Sequence, residues 1–422
     1  MTRKFSKSGL TFRDIVKNFW LESRKALDEM PRHTRWFHIF WLAGPLIMLI
    51  ERSPADAWLT ICALTFLVRS IIKREALWLK YFWVRSVFVF WVICLISAGL
   101  SDLPAYSLGE AFIWIRFPLF AMATCFWLGA DKRLLYAMFA TTMLGMIIMS
   151  GILTAEILIL GQQQGRLSWP YGDFVPGNYL AKVGLPAFSV LVAIAVSSDK
   201  KLAFPAALVS LATIAISVVT GERINFIIRA FSGMLAAISW KPKWKRVFWL
   251  IIIEIVAVIS IFYMSPQIGT RFVNTFIEQL PTNVESPYLR VWNGGIDAFQ
   301  TAPVIGIGPD NYRKMCAEIS RSFTDVDCHT HPHNFYIQIA AETGIIGLIA
   351  GSIMICSIIW FCVITGLKNR NNVISATAFI VPLGLFFPVQ STADFFGQWN
   401  NSFMWSAIAL ALAARSVVKI EK

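Results

Sequence analysis

Apolar runs near 36–51, 55–72, 81–100, 111–130, 134–160, 179–197, 202–220, 223–239, 247–264, 333–365, 373–391 and 401–416 dominate the chain. A helix of roughly 20 apolar residues crosses the hydrocarbon of a bilayer, and only helices or closed barrels satisfy their backbone groups there. The runs therefore predict an all-α polytopic membrane protein with about 12 transmembrane helices. Composition agrees: of 422 residues, 56% are hydrophobic, with 33 Phe and 17 Trp, too apolar for a soluble domain of this length.

Charge orients the chain. Lys and Arg accumulate in loops on the cytoplasmic side, and alternate loops here carry Arg69, Lys73, Arg74 and Lys80; Lys132 and Arg133; Lys200 and Lys201; Lys241, Lys243, Lys245 and Arg246; and Lys368 and Arg370. The intervening short loops hold one Arg each, Arg52, Arg166 or Arg223, or none. Both termini are then expected in the cytoplasm. The net charge of +13 reports this orientation and contact with anionic membrane lipids; it points to no nucleic acid.

The expected division is a basic cytoplasmic segment over 1–35, helices 1–9 over 36–264, a loop domain over 265–332, helices 10–12 over 333–416, and a cytoplasmic tail over 417–422. Segment 1–35 carries nine Lys/Arg and no cleavable apolar core, so it reads as retained, either lying on the membrane surface or mobile. The large outside loop, between helices 9 and 10, is expected to be partly helical, over 288–300 and 310–323, around the turn Thr301–Pro309. Cys316 and Cys328 both fall in it and are candidates for a disulfide. Cys62, Cys94, Cys125, Cys356 and Cys362 fall in apolar runs and read as core residues.

Three of the five histidines, His329, His331 and His333, lie together where the tenth apolar run begins. A zinc site is one reading of that spacing. Pro332 also suits a first helical turn, with Thr330 as cap, which would place His333 in that turn, where the positive helix end disfavours imidazolium. At 100° per residue, Ala340, Gly344, Gly347 and Gly351 fall below it on one face. That stripe suits close helix packing, with His333 either functional or incidental. Asp325 and Asp327 have the spacing of a metal-binding pair, or of a solvated loop. Arg85, Arg116, Lys182 and Arg229 lie within apolar runs, where charge is costly unless it faces the protein interior or an interface.

His333-Asn334, nine residues, then Gly344-Ile345-Ile346-Gly347 fits the pattern H-[NSQ]-x9-G-x-x-[GTY] of bacterial O-antigen ligases. Gly306-Ile307-Gly308-Pro309-Asp310-Asn311-Tyr312 resembles the glycine-rich segment before that motif in the wider ligase and polymerase superfamily. The layout of twelve spans with one large loop before the motif is also similar. The resemblance implies a GT-C-like membrane glycosyltransferase of the bacterial inner membrane, with its active site facing the periplasm. It would move a glycan from undecaprenyl diphosphate to a sugar hydroxyl of lipid A-core. It implies His333, Arg223 and Arg290 as catalytic residues; Tyr312 and Asn334, within the matching motifs, and Arg166 and Lys182, by their charge and place near the outer side, are candidate substrate-binding groups.

The chemistry suits these residue types. An alcohol acceptor needs a base as it attacks, and neutral imidazole can serve. The departing diphosphate needs cations, and arginine supplies permanent charge with bidentate geometry. No metal and no cofactor is therefore expected. An O-antigen polymerase and a protein O-glycosyltransferase are the neighbouring readings. A twelve-span secondary transporter is the distant one, since its functional charges would lie near the midplane.

Overall fold

A computed structural model describes residues 12–162, 165–173, 175–198, 200–280, 286–319, 328–388 and 390–417. Its regular elements are helices throughout. Seven are long and apolar enough to cross a membrane: Arg52–Ile72, Phe82–Gly99, Pro104–Leu128, Lys132–Leu160, Lys201–Val219, Trp244–Met264 and Phe335–Lys368. The protein is a polytopic helical membrane protein with seven clear spans among the described residues, where twelve were expected.

The other expected spans are shorter helices or helices broken at proline, which has no N–H and crowds the carbonyl four residues earlier. Residues 36–51 divide into Arg32–Leu42 and Gly44–Ile47, with Pro45 opening the second piece. Residues 179–197 hold a wide turn over Tyr179–Val183, closed by Gly184 N donating to the Tyr179 carbonyl at 2.9 Å, and then Leu185–Ala195 with Pro186 in its first turn. Residues 373–391 divide into Val373–Thr377 and Ile380–Leu385 before irregular backbone. Arg223–Ser239 and Gln398–Ala413 are helices of 17 and 16 residues.

Trp114 lies at the core. Its ring stacks on Phe395 at 5.7 Å and meets Phe90 and Trp405 edge-on at 5.5 and 6.0 Å. It thereby joins helices Phe82–Gly99, Pro104–Leu128 and Gln398–Ala413. Two of the charges inside the bundle have local partners. Arg116 donates twice to Asp56 at 3.0 Å. Arg229, fully buried, donates to the Leu180 carbonyl at 2.9 Å and to Thr213 at 2.7 Å, and lies 4.0 Å over the Phe188 ring. Of the five free cysteines, Cys62, Cys94, Cys125 and Cys362 are buried as expected; Cys356 is exposed.

Helix Phe335–Lys368 sets the position of the site. It runs beside Phe82–Gly99, where the hydroxyls of Ser86 and Ser357 meet at 2.8 Å and Ser97 donates to the Glu342 carbonyl at 2.8 Å. It is not continuous. Gly344 has φ +66° and ψ −171°, and its backbone breaks the helix. The expected one-face stripe from Ala340 to Gly351 is therefore interrupted. Into the break presses the turn before Tyr312. Ile345 N donates to the Pro303 carbonyl at 2.9 Å, Ile307 N to Ala341 at 3.0 Å and Gly308 N to Glu342 at 2.9 Å. A Cβ on Gly344 would fall onto the Val304 carbonyl, and one on Gly306 onto the Glu342–Thr343 backbone. The two glycine motifs are thus the two sides of one contact.

Residues 265–332 contain Pro266–Phe272, Asn274–Glu278, Pro287–Thr301 and Tyr312–Ile319. The last two overlap the helices expected there. Residues 1–11 and 418–422 of the expected terminal segments lie outside the described residues.

Candidate active site

The histidine segment is held at both ends. Cys316 and Cys328 form a disulfide, with Cα atoms 5.6 Å apart, tying it to helix Tyr312–Ile319. At its other end Asn334, not Thr330, caps helix Phe335–Lys368: its side-chain oxygen accepts from Tyr336 N at 3.0 Å and Ile337 N at 3.2 Å. Its amide donates to the Pro388 carbonyl at 2.8 Å, so Asn334 has a structural occupation. His333 therefore precedes the helix rather than lying in its first turn. An Asx side chain caps better than the threonine hydroxyl four residues earlier, and Asn334 leaves His333 in left-handed backbone at φ +54°.

One carbonyl orients two imidazoles. Thr392 O lies 3.1 Å from Nδ1 of His333 and 3.2 Å from Nε2 of His331, and Thr392 N donates to the His333 carbonyl at 2.8 Å. A carbonyl only accepts, so Nδ1 of His333 carries hydrogen and Nε2 is the nitrogen able to take a proton. The rings of His331 and His333 are 4.3 Å apart, and His329 is 5.6 Å from His333. Burial first, and His329 second, hold His333 below the ordinary imidazole range, against the Thr392 hydrogen bond. Burial and neighbouring His333 push His331 down to about 4. The neutral state expected of His333 thus arises chiefly from burial.

Beside His333 lies a cavity of about 230 Å³ lined by Arg166, Arg223, Arg271, Gln279, Tyr288 and His329. Arg223, at the start of helix Arg223–Ser239, donates to the Gln279 side chain and to the Arg271 carbonyl, the latter at 3.4 Å. Arg271 donates from Nε to the Gly221 carbonyl at 2.7 Å. Its guanidinium is held below its ordinary value by burial, then by Arg166 and Arg223. Nearby Glu222 is pushed up to about 7 by burial, although Arg166, Lys182 and Arg271 oppose it. No carboxylate lines the cavity among the described residues. Three guanidiniums around one small volume repel each other, and an anion entering it is stabilised by all three.

Two further cavities adjoin. His333 also lines one of about 260 Å³, with His331, Lys182, Glu222, Asn225 and Thr392. His331 and Lys182 then line the largest, about 890 Å³, with Arg52, Asp56, Glu110, Asp310, Arg313, Asp394 and Trp399. Lys182 donates to the Asn400 side chain there. Arg313 pairs with Asp310 at 2.9 Å and with Asp394. Gln338 donates to Asp394 at 2.7 Å and to Glu342 at 3.1 Å. Burial, and then Asp394, push Asp310 up to about 7.

Of the residues singled out in the sequence, the structure thus brings His333, Arg223 and Arg166 around one cavity, with Lys182 in the next. Arg290 lies on helix Pro287–Thr301, two residues beyond Tyr288, and is not among the residues lining these cavities. Tyr312 is buried against Ala298, Ile307, Cys316 and Ala341, with its backbone N–H on Glu342 at 3.1 Å, and lines none of them. Arg271, Tyr288, Arg313 and Asp394 were missed: the first three lie on short helices between the long ones and Asp394 in irregular backbone, and each is a single polar residue distinguishable only by where its segment packs. Among the described residues no three His, Cys, Asp or Glu side chains are arranged to hold a metal ion; Asp325 and Asp327 lie outside the described residues.

Residues 206–352 match the family model described as "O-Antigen ligase". A solved chain described under "Structural coordination of polymerization and crosslinking by a peptidoglycan synthase complex" is similar at 13% identity over 80% of this chain and 98% of that chain, with a TM-score of 0.47. No curated protein matches. The matched stretch holds Arg223, Arg271, the turn wedged into the broken helix, and His333 with Asn334. Over that stretch, about a third of the chain, the protein is similar to the O-antigen ligase family.

Proposed function

We propose that the protein is an O-antigen ligase, transferring a glycan from undecaprenyl diphosphate to a sugar hydroxyl of lipid A-core in the bacterial inner membrane. The observation that carries this reading is one cavity in which His333 meets Arg166, Arg223 and Arg271. The guanidiniums hold the diphosphate of the donor. Nε2 of His333 takes the acceptor hydroxyl proton as that oxygen attacks the anomeric carbon. The bond from that carbon to the diphosphate breaks, and its electron pair leaves on the phosphate oxygen, where the arginines stabilise the growing charge. Attack from the opposite face inverts the anomeric centre in one displacement without a covalent enzyme intermediate. The arginines supply the charge that a divalent cation supplies elsewhere, so the transfer is metal-independent. Arg290 is assigned a supporting part through helix Pro287–Thr301, which carries Tyr288.

In this reading both termini are cytoplasmic, 265–332 forms a periplasmic loop domain, and the site faces the periplasm. The test is reconstitution of the purified protein with undecaprenyl-diphosphate-linked glycan and lipid A-core, with EDTA present. The reading expects glycan on lipid A-core. Longer chains left on the carrier would make the protein a polymerase, and absence of both products from an otherwise folded preparation would contradict the assignment.

A further inference from the structure

A second charged cavity lies at the Lys368 end of helix Phe335–Lys368, the opposite end from His333. It has a volume of about 410 Å³, and its lining includes Tyr81, Phe126, Phe361, Lys368, Arg415 and Ser416. The Arg415 guanidinium lies 4.8 Å from the Tyr81 ring and 5.0 Å from the Phe126 ring. That packing fixes where the cation sits. No carboxylate pairs with it among the described residues, and both its Nη1 and the Ser416 hydroxyl are buried without a hydrogen-bond partner. Buried donors left unmade are costly, so an acceptor belongs between them. Lys368 stands exposed at the rim and adds a second cation.

We propose that this cavity binds the headgroup of an anionic phospholipid. The phosphate accepts from Arg415 and Ser416, with Lys368 beside it. The acyl chains leave along the apolar side of helix Phe335–Lys368 past Phe361 and Ile364, which form the cavity wall. A free phosphate could satisfy the same donors, but it would leave that apolar wall uncovered. The site is independent of the glycan chemistry at the other end.

The test is native mass spectrometry of the full-length protein, released from nanodiscs of equal phosphatidylglycerol and phosphatidylcholine. Both lipids offer the phosphate, but phosphatidylcholine also brings its choline cation against Arg415 and Lys368, and a like-charge penalty of this size corresponds to about a tenfold preference, so wild type is expected to retain phosphatidylglycerol about tenfold over phosphatidylcholine. Arg415→Gln should remove most of that preference. Lys368→Gln, which keeps Arg415 but removes the second cation, should reduce it to an intermediate value and serves if Arg415→Gln does not fold. Inorganic phosphate in millimolar excess should not displace the lipid. Equal retention of both lipids by wild type, an unchanged preference in both variants, or displacement by phosphate would each overturn the proposal.

Discussion

Among single residues, the site depends on which nitrogen of His333 is free. The Thr392 carbonyl occupies Nδ1, and burial keeps the ring neutral, so the proton acceptor is ready before substrate arrives. A base with a lowered pKa stays unprotonated, hence active, further into acid. With saturating donor, transfer should stay level as pH falls through the ordinary imidazole range near about 6.5 and decline only below it. A rate already halved near neutrality, measured in the reconstituted system, would contradict this assignment. Arg271 provides a separate check. Losing one charge-assisted contact to phosphate costs about 1.5–3 kcal/mol, so Arg271→Gln should raise the donor KM by roughly 10- to 100-fold, as radiolabelled donor titration would measure. An unchanged KM would remove Arg271 from the diphosphate site. His333, singled out in the sequence by its motif, and Arg223, singled out by its position, line one cavity. Arg52, Arg166 and Arg223, the lone arginines of the loops expected outside, each line one of the three adjoining cavities. Arg271 was not legible, because no local pattern distinguishes it from a solvated loop arginine.

Among the helices and loops, the break at Gly344 is where the loop is fastened to the membrane helix. Gly344→Ala would combine a left-handed backbone with a Cβ on the Val304 carbonyl. Either effect alone costs about 1–3 kcal/mol. The variant should unfold at lower temperature and lose transfer through displacement of the segment from Pro303 to Tyr312, as thermal unfolding in detergent would show. A variant as stable as wild type would mean that the turn and the helix are not coupled. Periodicity placed helices at the right residues but not their interruptions. The spacing from His333 through Gly344 to Gly351 suits one smooth face, whereas the structure uses Gly344 for its backbone freedom. The cap was misplaced for a related reason: Thr330 and Asn334 both suit an N-cap, and the choice is made by Pro388 and Thr392, which lie far away in sequence.

In the molecule taken together, membrane character follows directly from apolar content, while span count does not. Proline-broken segments such as 36–51 and 373–391 have the composition of spans and the geometry of short paired helices. Irregular backbone next to the second of these brings Thr392 and Asp394 to the histidines and to Arg313, so the missing regularity builds the site. The molecule then presents an arginine-lined cavity on one side of His333 and larger, mixed-charge cavities on the other. In the proposed function, the first is the place for diphosphate and the others are the place for an acceptor.

In the proposed transfer, donor binding and proton removal share one site but fall to different residues. Equilibrium binding of undecaprenyl-diphosphate-linked glycan, measured beside transfer in His333→Ala, tells the two roles apart. A general base contributes about 10²- to 10⁴-fold in rate, so transfer should fall by that factor while donor affinity, held by Arg166, Arg223 and Arg271, stays close to wild type. Transfer that survives the substitution, or donor affinity that collapses with it, would contradict this division of roles.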